Sequence, residues 1–168
     1  MRAAPLPSGV ATRIVAIDGC GGAGKSTLAA ALARELGATV VHTDDFASWD
    51  DPVGWWPSLL EQVLEPLAAG RSATFVPNSW GGPERPPVTV EPGRTVIVEG
   101  VTASREAFRP YLAYSIWVET PRELRLARGL ARDGVDALPL WERWMAEEDA
   151  YVERERPAEH ADAVLAGQ

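Results

Sequence analysis

Gly19-Cys20-Gly21-Gly22-Ala23-Gly24-Lys25-Ser26 is the stretch that decides the fold of this chain, because it fits the pattern GxxxxGK[ST]. An apolar run at residues 13–17 precedes it, and a helical pattern containing Leu28, Leu32 and Leu36 follows it. A strand, a glycine-rich loop and a helix in this order hold phosphate oxygens on main-chain N–H groups. The stretch therefore predicts a binding site for a nucleoside triphosphate.

The positions of this loop have separate physical roles. Its glycines let main-chain N–H groups converge on the phosphates, and side chains there would block the approach. Lys25 is expected to reach the outer phosphates, and the hydroxyl of Ser26 can ligate Mg²⁺. The residues expected to contact the nucleotide are Gly19, Gly21, Gly22, Ala23, Gly24, Lys25, Ser26 and Thr27.

The composition is typical of one soluble domain, with 168 residues of which 46% are hydrophobic and 24% charged. A net charge of −8 argues against a nucleic-acid partner. No apolar stretch approaches the roughly 20 residues that span a bilayer, so no membrane partner is expected. We expect a single cytoplasmic domain over residues 1–168 with the first ten residues disordered. The sequence leaves the oligomeric state open.

Short apolar runs alternate with helical patterns along the chain, which is typical of an α/β protein. The runs are nearly continuous in hydrophobicity, which favours parallel strands that are buried on both faces in a three-layer arrangement. Pro66 is expected to kink the first helix after the second strand. The expected strands are residues 13–17, 39–42, 95–98, 114–118 and 162–165, and the expected further helices are residues 58–69, 121–132 and 139–155.

Two acidic residues, Asp44 and Asp45, follow the second expected strand. Ligands of open α/β sheets bind at the carboxyl ends of the strands, so either residue is well placed for chemistry. A carboxylate there could accept a proton from an attacking alcohol or hold Mg²⁺ through water. The alternative is a helix cap or a turn, in which aspartate is also common.

Glu99 ends the third expected strand, and four strand formers followed by one acid resemble a Walker B element. The carboxylate of such an element approaches the metal ion beside the phosphate loop, although a purely structural carboxylate is the alternative. His42 and His160 are isolated in the sequence and have no metal-ligand spacing around them. We therefore expect neither histidine to be catalytic.

Arg125, Arg128 and Arg132 recur at helical spacing and should share one face of the helix at residues 121–132. Guanidinium groups suit phosphate oxygens and stabilise the charge of phosphoryl transfer. The alternative is a solvated helix face that pairs with Glu123 or Asp133.

Seven tryptophans are many for this length, and several fall between the second and third expected strands. Aromatic residues usually bury apolar area, but some of these could form a wall for a flat substrate. Trp80 is the best candidate, because it lies in a proline- and glycine-rich surface connection at residues 77–92. The tryptophans of this region are Trp49, Trp55, Trp56 and Trp80.

Together these residues resemble the uridine kinase branch of the P-loop kinases over most of the chain. The resemblance implies a five-stranded parallel sheet with strand order 2-3-1-4-5 and a short lid at about residues 120–140. The matching segments are residues 18–27, Asp44-Asp45-Phe46, Asp50-Asp51-Pro52, Val98-Glu99-Gly100, residues 125–133 and residues 161–165.

The resemblance further implies transfer of the γ-phosphoryl group of ATP, with Mg²⁺, to a hydroxyl of a small molecule, typically a pyrimidine nucleoside. Asp44 would be the base, and Asp50 would bind a hydroxyl of the acceptor. Trp80 and Arg125 are further candidates for contact with the acceptor. The remaining roles would be Lys25 on the β- and γ-phosphates, Ser26 and Glu99 on Mg²⁺, and Arg128 and Arg132 on the transferring group.

The chain departs from the family pattern on the acceptor side. The P-x-Y-D loop of the family is Pro77-Asn78-Ser79-Trp80 here, and Asp133 is followed by no R-G-R element. Gly129 stands where the family often has an arginine. A kinase of another small alcohol or nucleotide, and a noncatalytic ATP-binding sensor, are therefore the alternative functions.

Overall fold

The central layer is a parallel sheet, as the continuously apolar strands predict. The computed structural model describes residues 4–48, 51 and 53–167. The strands are β1 (Ile14–Asp18), β2 (Thr39–His42), β3 (Ala73–Phe75), β4 (Val88–Val90), β5 (Val96–Glu99), β6 (Tyr114–Glu119) and β7 (Ala163–Ala166).

The sheet contains five strands in the order β2-β5-β1-β6-β7, all paired in parallel. When the strands of this sheet are counted by themselves, the order is the 2-3-1-4-5 that the resemblance implies. The labels differ because β3 and β4 form a separate antiparallel pair, which the sequence analysis did not predict. The connection expected at residues 77–92 therefore contains a strand, β4.

Helices cover both faces of the sheet, so the structure has the three layers that the sequence predicts. A π-helical turn at Leu60–Leu64 joins α2 to α3, and Pro66 follows it at the start of α3, so the expected irregularity takes the form of a widened turn. The helices are α1 (Lys25–Leu36), α2 (Trp56–Leu59), α3 (Glu65–Ala68), α4 (Arg122–Asp133), α5 (Leu138–Glu155) and α6 (Pro157–His160).

Successive residues of a β-strand point to opposite faces of the sheet, so the hydrophobic core is divided between the two faces. In β1, Ile14 and Ala16 pack in the cluster that contains Leu59 of α2, whereas Val15 and Ile17 pack in the cluster that contains α1. Both faces of β1 are thus apolar, and Asp18, His42 and Glu99 lie at the carboxyl ends of β1, β2 and β5. None of the described helices is both long and apolar enough to cross a membrane.

Candidate functional site

A cavity of about 840 Å³ opens at the carboxyl ends of the parallel strands. It brings together residues that lie more than a hundred positions apart in the sequence, from the loop after β1 to α5. Its lining residues are Gly21–Thr27, Asp44, Trp80, Glu99, Gly100, Val101, Arg128, Gly129, Arg132, Asp133, Ala137, Leu140, Trp141 and Trp144.

The phosphate loop between β1 and α1 is held in shape through hydrogen bonds to its main-chain carbonyl groups. The Nζ atom of Lys25 donates to the carbonyl of Cys20 at 3.0 Å, and the guanidinium of Arg128 donates to that of Gly22 at 3.1 Å. The hydroxyl of Thr120 donates to the carbonyl of Ala23 at 3.0 Å. The loop is therefore fixed in shape by side chains of α1, α4 and the segment before α4.

At two positions of this loop glycine is required by packing against neighbouring elements as well as by ligand binding. A Cβ atom on Gly19 would lie 2.5 Å from the carbonyl oxygen of Val118, and one on Gly22 would lie 2.6 Å from that of Arg125. Both residues also have a positive φ, 150° and 76°. Larger residues would force the loop away from β6 and α4.

Glu99 and Ser26 lie together at the phosphate loop, as expected for a pair that shares a metal ion. The hydroxyl of Ser26 donates to Oε1 of Glu99 at 3.1 Å. The other carboxylate oxygen of Glu99, Oε2, is buried without a partner among the described residues. No group of three or more His, Cys, Asp or Glu side chains forms a metal site in the part of the chain that the structure describes.

These observations fit Mg²⁺ rather than a metal held by the protein alone. Mg²⁺ is commonly bound through one or two protein oxygens together with phosphates and water. The orphaned oxygen of Glu99 and the hydroxyl of Ser26 are such donors, and both residues line the cavity together with the phosphate loop.

His42 is a neighbour of Glu99 that the sequence analysis dismissed as isolated. Its Nδ1 atom lies 2.6 Å from Oε1 of Glu99, and this contact raises the pKa of His42. Burial alone would raise the pKa of Glu99, but His42, Lys25 and the other partners outweigh it and hold that pKa below its usual value. The signal was present in the expected strand order, because β2 and β5 are adjacent and His42 is in register with Glu99.

The structure separates the two aspartates that the sequence left as alternatives. Asp44 lines the cavity from the short 3₁₀ helix after β2, whereas Asp45 pairs with the guanidinium of Arg85 at 2.6 Å. Burial raises the pKa of Asp44, Lys25 opposes this shift and Glu99 adds to it. A carboxyl group with a raised pKa is a stronger base than an ordinary aspartate.

Of the three arginines that were expected to share one face of α4, two reach the cavity. Arg128 and Arg132 line it, but Arg125 is buried, where its guanidinium pairs with Glu148 at 3.1 Å and donates to the carbonyl of Thr120. Arg125 therefore lies behind the cavity and does not line it, whereas a contact with the acceptor was expected of it. An apolar-facing position on a helix can be occupied by an arginine only when a buried partner compensates its charge, and Glu148 on α5 is that partner.

Tryptophans form one side of the cavity, and only one of them was expected there. Trp80 lines the cavity, and its indole nitrogen donates to the main-chain oxygen of Asp44 at 3.0 Å. Its ring centre is 6.3 Å from that of Trp144 on α5, which lines the cavity together with Trp141. Trp141 and Trp144 were not expected here; their spacing of three indicates a shared helix face but not what that face contacts.

Two further tryptophans of the expected group, Trp55 and Trp56, do not line the cavity. Trp55 packs in the large core cluster, and the ring of Trp56 lies 4.9 Å from the guanidinium of Arg105. Trp49 and Asp50, including the expected contact of Asp50 with the acceptor, lie outside the described residues.

Solved structures of P-loop kinases resemble this chain. One, described as a possible uridine kinase from Bacillus stearothermophilus, is 23% identical with a TM-score of 0.70, and the match covers 92% of this chain and 88% of that one. A candidate fructose transport system kinase from Silicibacter sp. TM1040 is 22% identical with a TM-score of 0.61, with coverages of 92% and 90%.

A third similar structure is a sugar kinase from Janibacter sp. HTCC2649, 20% identical with a TM-score of 0.57, with coverages of 92% and 85%. No protein-family model matches the chain, and no curated protein sequence matches it. The expected resemblance is thereby confirmed at the level of the fold: the chain has the α/β fold of P-loop kinases, among them uridine kinase-like and sugar kinase structures.

Proposed function

We propose that this protein transfers the γ-phosphoryl group of ATP to a hydroxyl group of a small molecule. One observation carries the proposal: the carboxylate of Asp44 lines the same cavity as Lys25 and Ser26 of the phosphate loop. A protein that only binds ATP needs no proton acceptor at that place, whereas a kinase of alcohols does.

The donor half of the site would bind ATP through main-chain N–H groups of residues 22 and 24–27 and the ammonium of Lys25, because the N–H of Gly21 already donates to Glu148. Ser26 and Glu99 would hold Mg²⁺, which when bound neutralises phosphate charge and orients the γ-phosphate. The partnerless Oε2 of Glu99 supports this assignment.

In the reaction, Asp44 takes the proton of the acceptor hydroxyl while the oxygen of that hydroxyl forms a bond to the γ-phosphorus. The bond between the γ-phosphorus and the β–γ bridging oxygen breaks, and ADP leaves with the electron pair. Lys25, Arg128 and Arg132 neutralise the charge on the oxygens of the transferring group. Their guanidinium and ammonium groups surround one cavity, which supports a joint role.

A pyrimidine nucleoside is our first candidate for the acceptor, because a possible uridine kinase is among the similar structures. The tryptophans Trp80, Trp141 and Trp144 give this side of the cavity flat apolar surfaces that suit a base. A sugar or another small alcohol is the second candidate, since sugar kinases share the fold.

The test incubates the purified protein with ATP and Mg²⁺ and a panel of nucleosides, nucleotides, sugars and aromatic alcohols. ADP release and the mass of the product are measured. Phosphorylated uridine or cytidine supports the first candidate, and another phosphorylated alcohol replaces the acceptor while leaving the chemistry unchanged. ATP binding without turnover of any acceptor contradicts the proposal and favours the sensor.

Two variants divide the roles within the site. Lys25→Ala should abolish turnover, because the ammonium binds the phosphates that react. Asp44→Asn should leave the dissociation constant for ATP within about twofold and lower kcat by about 10²-fold or more, the usual contribution of a general base. Unchanged turnover in Asp44→Asn would remove Asp44 from the mechanism.

A further inference from the structure

We propose that Trp141 of α5 is a positioning residue that holds the guanidinium of Arg132 at the cavity, and that Gly129 of α4 is the position that admits it. The inference rests on the proposed function, since it assigns a role in phosphoryl transfer. It concerns the α4–α5 unit, where the sequence departs from the pattern of the resembled family.

The contacts link three side chains in a closed set. The indole nitrogen of Trp141 donates to Oδ2 of Asp133 at 2.9 Å. Asp133 in turn accepts two hydrogen bonds from Arg132, from Nε at 2.7 Å and from Nη2 at 2.9 Å. The guanidinium carbon of Arg132 lies 5.6 Å from the centre of the Trp141 ring. The arginine is therefore held at its fork by a carboxylate and at its face by an aromatic ring.

Arg132 needs such support because its side chain is 70% exposed. An exposed ion pair with a neighbouring residue constrains an arginine weakly, since both side chains lose rotamer freedom for a small electrostatic gain. Trp141 is only 8% exposed and cannot move without repacking, so it gives the pair a rigid base. The indole hydrogen bond also fixes the carboxylate that orients the fork.

The lack of a side chain at Gly129 leaves room for the indole of Trp141 against α4. A Cβ atom on Gly129 would lie 2.4 Å from ring atoms of Trp141, so no side chain fits there. Glycine inside a helix is unfavourable relative to alanine, and here the ring provides the packing reason for it.

The same ring also contacts the phosphate loop. A Cβ atom on Gly21 would lie 3.2 Å from it, so the Trp141 ring lies between α4 and that loop. The rigid side chain of Trp141 thus fixes the position of Arg132 relative to the phosphate loop.

The main test is a double-mutant cycle on kcat with the variants Trp141→Phe, Arg132→Ala and the combination. Trp141→Phe keeps an aromatic ring over Gly129 and removes the hydrogen bond to Asp133. We expect it to lower kcat by about tenfold with an unchanged KM for the acceptor, and to have less than a twofold effect when Arg132 is already alanine. Equal losses in both backgrounds, or no loss in the parent protein, would overturn the proposal.

A second measurement is independent of turnover. The rate at which the Nε–H of Arg132 exchanges with water is measured by NMR, with the signal assigned by its loss in Arg132→Lys. Trp141→Phe should speed this exchange severalfold, whereas Trp117→Phe, a similarly buried tryptophan on β6, should not. An unchanged exchange rate in Trp141→Phe would overturn the proposal.

The exposed partner provides a variant in which folding is not at risk. Asp133→Ala removes both the acceptor of the indole and the fork partner of Arg132, and it should reproduce the losses of Trp141→Phe. Normal kcat and normal exchange in Asp133→Ala would contradict the arrangement. If the parent protein phosphorylates no acceptor, the proposed function fails, and the exchange measurement alone decides whether Trp141 holds Arg132.

Discussion

The carboxylate of Glu148 accepts a hydrogen bond from the main-chain N–H of Gly21 at 2.7 Å, across 127 positions of sequence. Its Oε2 atom pairs with Arg125 at 3.1 Å, and the indole nitrogen of Trp144 donates at 3.0 Å to Oε1, the same oxygen that accepts from Gly21. Glu148 is completely buried. The phosphate loop is thereby tied to α4 and α5 through one buried acid.

Removing one partner of the buried ion pair between Arg125 and Glu148 should strongly destabilise the fold. Burial raises the pKa of Glu148, while Gly21, Lys25 and Arg125 stabilise its charge. Arg125→Met removes the paired charge, and we expect it to lower the free energy of unfolding by about 3–5 kcal/mol. Urea denaturation measures this loss.

A matched double variant identifies the cause of that loss. In Arg125→Met combined with Glu148→Gln, the neutral amide keeps an oxygen for the N–H of Gly21 and leaves no unpaired charge in the interior. The double variant should therefore be more stable than Arg125→Met alone. A double variant that is no more stable than Arg125→Met alone would show that the unpaired charge of Glu148 is not the cause of the loss.

Substitutions of Glu99 and His42 should raise the Mg²⁺ concentration that activity requires, by different amounts. Glu99→Gln removes the charge that the partnerless Oε2 atom would offer to the ion, whereas His42→Ala removes only a neighbour of the carboxylate. We expect His42→Ala to raise the Mg²⁺ concentration for half-maximal activity by about tenfold, as for the loss of an outer partner, and Glu99→Gln to raise it further. Titration of Mg²⁺ at fixed ATP measures both. The reverse ranking would contradict the assignment of Glu99.

The sequence predicted those parts of the fold whose signals are local. The phosphate loop, the apolar strands and α1 could be predicted because their patterns occupy consecutive residues. β3 and β4 could not, because each strand has three residues and the segment between them is rich in proline and glycine. Short strands of this kind gain their stability from packing, such as that of Phe75 in the large core cluster.

The site divides in the same way. The spacing of Arg125, Arg128 and Arg132 correctly places them near one another on α4, but the apolar face of a helix spans a wide arc. Which arginine turns inward depends on Glu148, more than twenty residues later on another helix. The cavity wall of Trp141 and Trp144 depends equally on how α5 packs, and this cannot be inferred from the residues alone.

The loop that carries Trp80 predicts a residue that controls acceptor binding. The side-chain amide of Asn78 donates to the carbonyl of Ala47 at 2.8 Å, and its oxygen accepts from the main-chain N–H of Trp80 at 2.8 Å. Trp80 has a φ of 54°, which a non-glycine residue adopts only when its surroundings hold it. Asn78 is therefore the anchor of the Trp80 ring beside Asp44.

Asn78→Ala should release this ring from its position. We expect the KM for the acceptor to rise by roughly tenfold because the acceptor is less well oriented, while the dissociation constant for ATP stays unchanged. Steady-state kinetics and calorimetry measure the two constants, with Ser79→Ala in the same loop as the control. An equal loss of ATP affinity would show that the loop supports the whole site.

We expect the ionised carboxylate of Asp44 to be needed for activity but to lower the stability of the folded protein. Burial raises its pKa in the folded protein, so the folded state binds the proton more tightly than the unfolded state does. In that case stability falls as the pH rises from the unfolded pKa, near about 4, through the folded pKa. At neutral pH the ionised carboxylate therefore opposes folding.

Asp44→Asn removes this ionisation, and we expect the variant to be more stable than the parent protein at pH 7 although it is inactive. The difference should shrink as the pH falls, because below the unfolded pKa the parent carboxyl is protonated in both states. Urea denaturation of the nucleotide-free protein between about pH 4 and pH 8 measures the difference, with Asp136→Asn, an exposed aspartate that does not line the cavity, as the control. A gain of the same size at every pH would attribute the effect to hydrogen bonding of the amide and not to the charge of Asp44.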